Sequence, residues 1–356
     1  MSVMKHRPRV HGRTLVELMI AMVLSLAVLS AVLYTASNTS SSGRRTDALG
    51  RLTENGQVAL QIMAKDLRMA GYSMPRAIFA PGYLTNNYAV AGIRGCDNGF
   101  GTTGVGSASA STLGGLTCTA SAAANTDSAA VAITYETDLF NTIPVGTGTQ
   151  TPSDCRGNGL VADSGQTRNA TSQARGVDAD KAAYWRVENR YYIAQTADQS
   201  GTSEFSLFCT GNGGDPTATG SDARFGAGVA LVRGVQRMVA TYGVGTGVTL
   251  ADGSTAVLNV QPDAVQYLTA AAIDAAWPTE SVDKRWQRVV AVRMCLEIMG
   301  DAGSAESGTT YLPCPNGNTP ATAVTITDGR QRRIVTLTMN LRNRTSIQSQ
   351  LGFGGV

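Results

Sequence analysis

GRTLVELMIAMVLSLAVLSAVL, residues 12–33, decides how the rest of the chain is organised. Leu18 to Leu33 carries no charge, and the apolar character extends through Tyr34. That length suits a hydrocarbon core of roughly 30 Å. One acid, Glu17, stands inside the apolar run. A carboxylate costs roughly 2.5–3.5 kcal/mol at the centre of a membrane helix and less toward its edge, so Glu17 points to a contact that needs it. The leader before Gly12 contains Lys5, Arg7 and Arg9 and no acid, which the positive-inside rule reads as a cytoplasmic N-terminus. An ordinary secretory signal has its cleavage site after the apolar region. Here the glycine comes before it. Topology alone leaves two readings, an uncleaved signal anchor or cleavage after Gly12 with the helix kept as the new N-terminus.

The remaining composition bounds the protein class. The chain has 356 residues, 40 of them glycine, and only 15% are charged. Such a chain reads as a loop-rich extracytoplasmic β protein rather than a cytosolic enzyme. The net charge of +3 is carried by the three leader cations, which leaves the remainder formally neutral. Net charge therefore implies no nucleic-acid patch. Both histidines, His6 and His11, precede Gly12. Removal of the leader would exclude Ser-His-Asp and Cys-His activation and every histidine-based metal site. The acid pairs Asp178/Asp180 and Glu280/Asp283 lie in loop-like sequence and read as solvated. The expected protein is no enzyme and needs no cofactor or metal.

Beyond the apolar run the helix continues, because no proline occurs from Arg13 to Met74. Asn38–Gly43, NTSSSG, is a patch of poor helix formers where local irregularity is expected. Leu49, Leu52, Gly56, Leu60, Met63, Leu67 and Ala70 then recur at spacings of three and four, one apolar stripe on an amphipathic helix. Gly71 is the expected stop, with Pro75 following. A helix from Arg13 to Ala70 would be about 87 Å long, its first half in membrane or filament core and its second packed on a globular domain.

Strands follow the helix. Val131–Glu136 reads as one. In Tyr184–Ala194 a mostly apolar face (Trp185, Val187, Asn189, Tyr191, Ile193) alternates with a mostly polar one, and Glu204–Thr210 is its expected hairpin partner. Asp263–Trp277 is alanine-rich and reads as a short helix, Trp286–Met299 as a strand with Cys295 off the core face, and Arg333–Arg344 as the last strand. Six cysteines all lie downstream of the apolar run and none forms a C-x-x-C pair, which fits disulfides in an oxidising compartment. A Cys96–Cys118 bridge would pin the long Gly/Ser/Thr/Ala-rich loop between them, and a Cys295–Cys314 bridge would tie a loop over the sheet's outer surface. Spacing alone leaves about 15 connectivities open.

Gly12-Arg-Thr-Leu-Val-Glu17-Leu-Met-Ile-Ala21 closely resembles the class III signal of type IV pilins and type II secretion pseudopilins. The resemblance implies that a membrane peptidase cuts after Gly12, that Arg13 is the N-methylated residue, and that Glu17 forms an assembly salt bridge with a neighbour's amino terminus. Arg13 departs from the Phe or Met usual there. Glu54-Asn55-Gly56, Asp66-Leu67-Arg68-Met69-Ala70-Gly71-Tyr72 and the Leu-Arg-Asn-Arg run at 341–344 resemble PilW-type minor pilins. So does Val229–Tyr242, with its Leu-Val-x-Gly-Val pattern ahead of Tyr242-Gly243. Similar chains carry a cysteine in an SDC-x-G-N-G context and another ending a strand, which implies the pair Cys155–Cys209.

The implied fold is α+β and type IV pilin-like, a long N-terminal helix on an antiparallel sheet with disulfide-pinned loops. The expected organisation is a prepilin leader over 1–12, a transmembrane or filament-core helix over 13–34, an amphipathic helix over 35–72 and a β-rich globular domain over 73–356. The implied role is a non-enzymatic minor pilin that helps initiate assembly near the pilus tip. The implied partners are other minor pilins, the major pilin, the prepilin peptidase, the inner-membrane assembly platform and a tip adhesin. Two alternatives stand beside it, a J-type minor pseudopilin of type II secretion and a membrane-anchored surface adhesin.

Overall fold

The computed structural model describes residues 14–343, apart from 74–75, 78–83, 86–90, 102–112, 120–127, 149, 161–184, 198–202, 215–224, 226, 246–247, 250–254, 257–263, 307, 318 and 342. Helix α1 runs unbroken over Leu15–Met69, about 82 Å at 1.5 Å per residue. The expected irregularity at Asn38–Gly43 is absent. Hydroxyls along this part of the helix donate to carbonyls one turn back, Thr35 to Ala31 at 3.1 Å, Thr39 to Thr35 at 2.9 Å and Thr46 to Ser42 at 3.0 Å. These side chains find their partners inside the helix instead of competing with it. The helix ends where Gly71 takes φ 70°, with the Tyr72 amide donating to the Met69 carbonyl at 2.8 Å. A positive φ there is open to glycine at no steric cost.

Two antiparallel sheets carry the fold. The first is a five-stranded meander of β1 (Ile93–Cys96), β2 (Ala130–Thr137), β3 (Trp185–Ala197), β4 (Ser203–Gly211) and β5 (Val229–Arg233) in sequential order. The second holds β6 (Val235–Val244), β7 (Gln266–Leu268), β8 (Val289–Ala302) and β9 (Arg330–Asn340), in the order β7-β6-β8-β9. Only Gly234, at φ 76°, separates β5 from β6. Its amide donates to Phe205 in the first sheet, and its carbonyl accepts from Met299 in the second. One residue thus passes the chain from sheet to sheet. Helices α2 (Ala270–Ala276) and α3 (Val282–Gln287) connect β7 to β8.

Several expectations need correction. Only the second half of Asp263–Trp277 is helical; Gln266–Leu268 pairs with β6. Thr269 caps α2 by accepting from the Ala272 amide at 3.2 Å, so the alanine run begins its helix there. Trp286 lies in α3 rather than at the start of β8, capped by Ser281. It packs edge-on against Tyr242 with ring centroids 4.8 Å apart. The mostly polar face of β3, whose covering the alternation left open, is largely buried. Arg190 pairs with Glu188 at 2.7 Å and lies over the Phe225 ring. A second small core of Cys96, Phe100, Leu113, Leu116 and Tyr192 covers this side of the sheet. Alternation along a strand reports two faces but not what covers the second.

Candidate assembly interface

The two halves of α1 have opposite surroundings. Large apolar side chains from Leu15 to Tyr34 are exposed, and none packs on the domain. Glu17 is the only charged residue between Leu15 and Tyr34. It occupies the first helical turn, where its amide donates to the Thr14 hydroxyl at 3.4 Å. Thr14-x-x-Glu17 thus has capping-box spacing, a signal in the sequence that the reading of Glu17 as an assembly acid passed over. A carboxylate there also faces the positive end of the helix dipole. Gly12 and Arg13 lie outside the described residues, as do Asp178 and Asp180.

From Leu52 onward the same helix is held by the sheets, and the short motifs supply the joints. Gly56 sits against β8 and β9; a Cβ there would lie 2.8 Å from Val335 Cγ2 and 3.1 Å from Ile298 Cγ1. Leucine at this position should lower stability by about 1–3 kcal/mol or more, read by chemical denaturation of the detergent-solubilised chain. Alanine should cost less, because its gain in helix propensity of about 1 kcal/mol offsets part of the clash. Gly71 touches Gly92 so closely that a Cβ on Gly92 would collide with the Gly71 backbone. At the far end of the chain, the Asn343 side chain donates to the Arg68 carbonyl at 2.8 Å. It satisfies one of the carbonyls the helix terminus leaves open. Leu341 is fully buried and its amide donates to Val290 at 2.7 Å.

Asp66 is the charged element of this joint. It is buried, and three donors reach it: Tyr135 Oη at 2.9 Å, Tyr191 Oη at 2.6 Å and Asn189 Nδ2 at 2.6 Å. Burial raises its pKa above the ordinary carboxylate value of 3.8, against the opposing pull of the three hydrogen bonds. Burial, helped by Asp66 itself, pushes the Tyr191 hydroxyl well above its usual range. Sequence reading placed Asp66 in a motif but assigned it no partner.

The same network reaches a disulfide. Asn189 Oδ1 accepts from the Cys155 amide at 2.9 Å, and Cys155 is bonded to Cys209 on β4. Asp154 folds the SDC-x-G-N-G loop around itself, accepting from the amides of Arg156, Asn158 and Gly213 at 2.9–3.0 Å. Cys96 is bonded to Cys118 and Cys295 to Cys314. Near the last bridge, buried Glu297 accepts from the Cys314 amide at 2.8 Å and from Arg237 at 3.0 Å. The acid pair Glu280/Asp283 is not solvated as expected. Glu280 pairs with Arg288 at 2.6 Å, and Asp283 accepts from the Gly114 amide at 3.2 Å. Both carboxylates are committed to holding loops. Among the described residues, no group of three or more His, Cys, Asp or Glu is arranged to hold a metal ion.

A family model described as Type IV Pilus-assembly protein W matches residues 190–343. Over this span the chain is similar to that family. The PilW region starts within β3 and ends on Asn343, the residue that caps α1. It includes the sheet-to-sheet corner at Gly234 and the surface of β8 and β9 on which Gly56 rests. The α1 motifs precede it. No curated protein and no solved structure matches the chain. A long N-terminal helix, antiparallel sheets and three disulfides make the arrangement α+β and pilin-like, and the family that residues 190–343 match is one of type IV pilus assembly.

Proposed function

We propose that this chain is a minor subunit of a type IV pilus, cleaved after Gly12, that enters the filament through α1, helps start assembly and sits near the tip. The observation that carries this reading is the division of α1. Leu15 to Tyr34 offers an uncovered apolar surface, while the same helix from Leu52 onward is built into a domain whose C-terminal part matches the PilW family model. Such a surface needs lipid before assembly and other helices after it. On this reading the chain first spans the inner membrane with its N-terminus inside. It then passes into the fibre with its domain outside. Arg13 is the methylated residue, and Glu17 pairs with the amino terminus of a neighbour. The partners are the major pilin, other minor pilins, the peptidase, the assembly platform and a tip adhesin, and the role is structural rather than enzymatic. The PilW match favours this over a type II secretion pseudopilin.

Intact mass of the protein made with and without the prepilin peptidase tests the reading. Residues 1–12 should be lost only with the peptidase, and Gly12→Leu should retain them. A chain that keeps residues 1–12 beside an active peptidase would overturn the assignment.

A further inference from the structure

The second sheet ends on an open edge. Among the described residues, β9 pairs only with β8. The Leu341 amide donates to Val290 at 2.7 Å, and from that point the β8–β9 register keeps the odd-numbered residues of 333–339 bonded toward β8. The amides and carbonyls of Ile334, Thr336, Thr338 and Asn340 therefore point away from the sheet, where no described strand meets them. Proteins blunt such edges with charge, proline or a bulge. Residues 334–340, IVTLTMN, hold no charge and no proline. The register shift between Met299 and Ala302 of β8 lies beyond them. So plain an edge would pair with strands of other chains unless something covers it.

The sequence that follows has the pattern of a cover. RTSIQSQLGFGGV, residues 344–356, leaves β9 at the end of α1, where Asn343 is held on the Arg68 carbonyl. A loop over 341–345 has a length found in hairpins. It would set 346 opposite 340, 348 opposite 338, 350 opposite 336 and 352 opposite 334. In that register Ser346, Gln348 and Gln350 fall on the outer face with Thr336 and Thr338, which are exposed. Ile347 and Leu351 fall on the α1 side, in line with Met339 and Val335. Val335 stands against Gly56 of α1, and both it and Leu337 are only partly buried. A slip by one residue would turn the apolar set outward. The short connection also gives this segment a higher local concentration at the edge than a strand of another chain has.

We propose that residues 346–352 add antiparallel to β9 as a further strand and close the sheet edge against strands of other chains. The main chain of Gln348 and Gln350 bonds to Thr338 and Thr336, while the amides of Ser349 and Leu351 face away. The proposal stands independently of the pilus reading.

Hydrogen exchange resolved to single amides tests it on the detergent-solubilised full chain and on a chain stopped after Asn343. Thr336 and Thr338 should exchange about tenfold or more faster in the shortened chain. Gln348→Pro removes a donor aimed at β9 and should accelerate the same amides in the full chain. Ser349→Pro removes a donor aimed outward and should change them little. Equal exchange in the full and shortened chains, or equal effects of the two prolines, would overturn the proposal. So would protection that grows with protein concentration, which would place a second copy on the edge instead.

Discussion

Asp66→Ala is expected to lower stability by about 3 kcal/mol or more and to loosen the end of α1 from the first sheet. The change removes the acceptor that three buried donors share, Tyr135, Tyr191 and Asn189. Each donor left unpaired costs on the order of 1–3 kcal/mol. The loss should reach the Cys155 loop too, because Asn189 bonds both Asp66 and the Cys155 amide. Urea denaturation of the detergent-solubilised chain measures the first effect, and hydrogen exchange at Cys155 the second. A cost below about 1 kcal/mol would mean that these groups find other partners.

The same residue has a pH signature. Its folded pKa lies above the ordinary carboxylate value of 3.8. Its contribution is therefore fully favourable below 3.8 and is lost as pH rises through the folded value. The stability difference between the wild type and Asp66→Asn should fall with rising pH over that window. A flat or rising difference would refute the raised pKa. Asp328 acts with the opposite sign. Hydrogen bonds from Arg332 hold it at about 2, so its contribution is present above 3.8 and lost as pH falls toward 2. It is common to both proteins and cancels in the comparison.

Glu17→Ala is expected to stay in the membrane yet reach sheared pili on the order of a hundredfold less. The two effects run in opposite directions. Removing a carboxylate from an apolar helix relieves a cost of up to roughly 2.5–3.5 kcal/mol, so membrane retention should hold or rise. In a filament, the same change would strand a neighbour's amino group in an apolar core. Breaking a buried pair costs about 3–5 kcal/mol, and each 1.4 kcal/mol is about tenfold. The lost helix-end interaction of Glu17 is worth only about 0.3–1 kcal/mol and cannot account for such a defect. Immunoblots of sheared pili against envelopes measure both quantities. Normal incorporation would sink the assembly role of Glu17.

The joints of the helix show how much could be read in advance. The stripe through Leu52, Leu60, Met63 and Leu67 was visible because burial on a helix repeats every three to four residues, and these residues do enter the core. The ENG, DLRMAGY and LRNR motifs were visible as strings, yet their physics was not. Gly56 matters because Val335 stands against it, Gly71 because Gly92 does, and Asn343 because the α1 end needs a donor. The assembly role of Glu17 belongs to a contact between subunits, and one chain shows only that the carboxylate is exposed in the first helical turn.

By itself, then, the sequence determined the long helix with its apolar first half, the strand character of β2, the strand periodicity of β3, β4, β8 and β9, and the oxidised character of the cysteines. Each depends on residue types repeated at short range. Tertiary structure alone decided what covers the polar face of β3, where Trp286 sits, and that Asp66 meets Tyr135, Asn189 and Tyr191 across 69, 123 and 125 residues. Those outcomes depend on burial and pairing between distant segments, and local periodicity carries no record of which distant group will arrive.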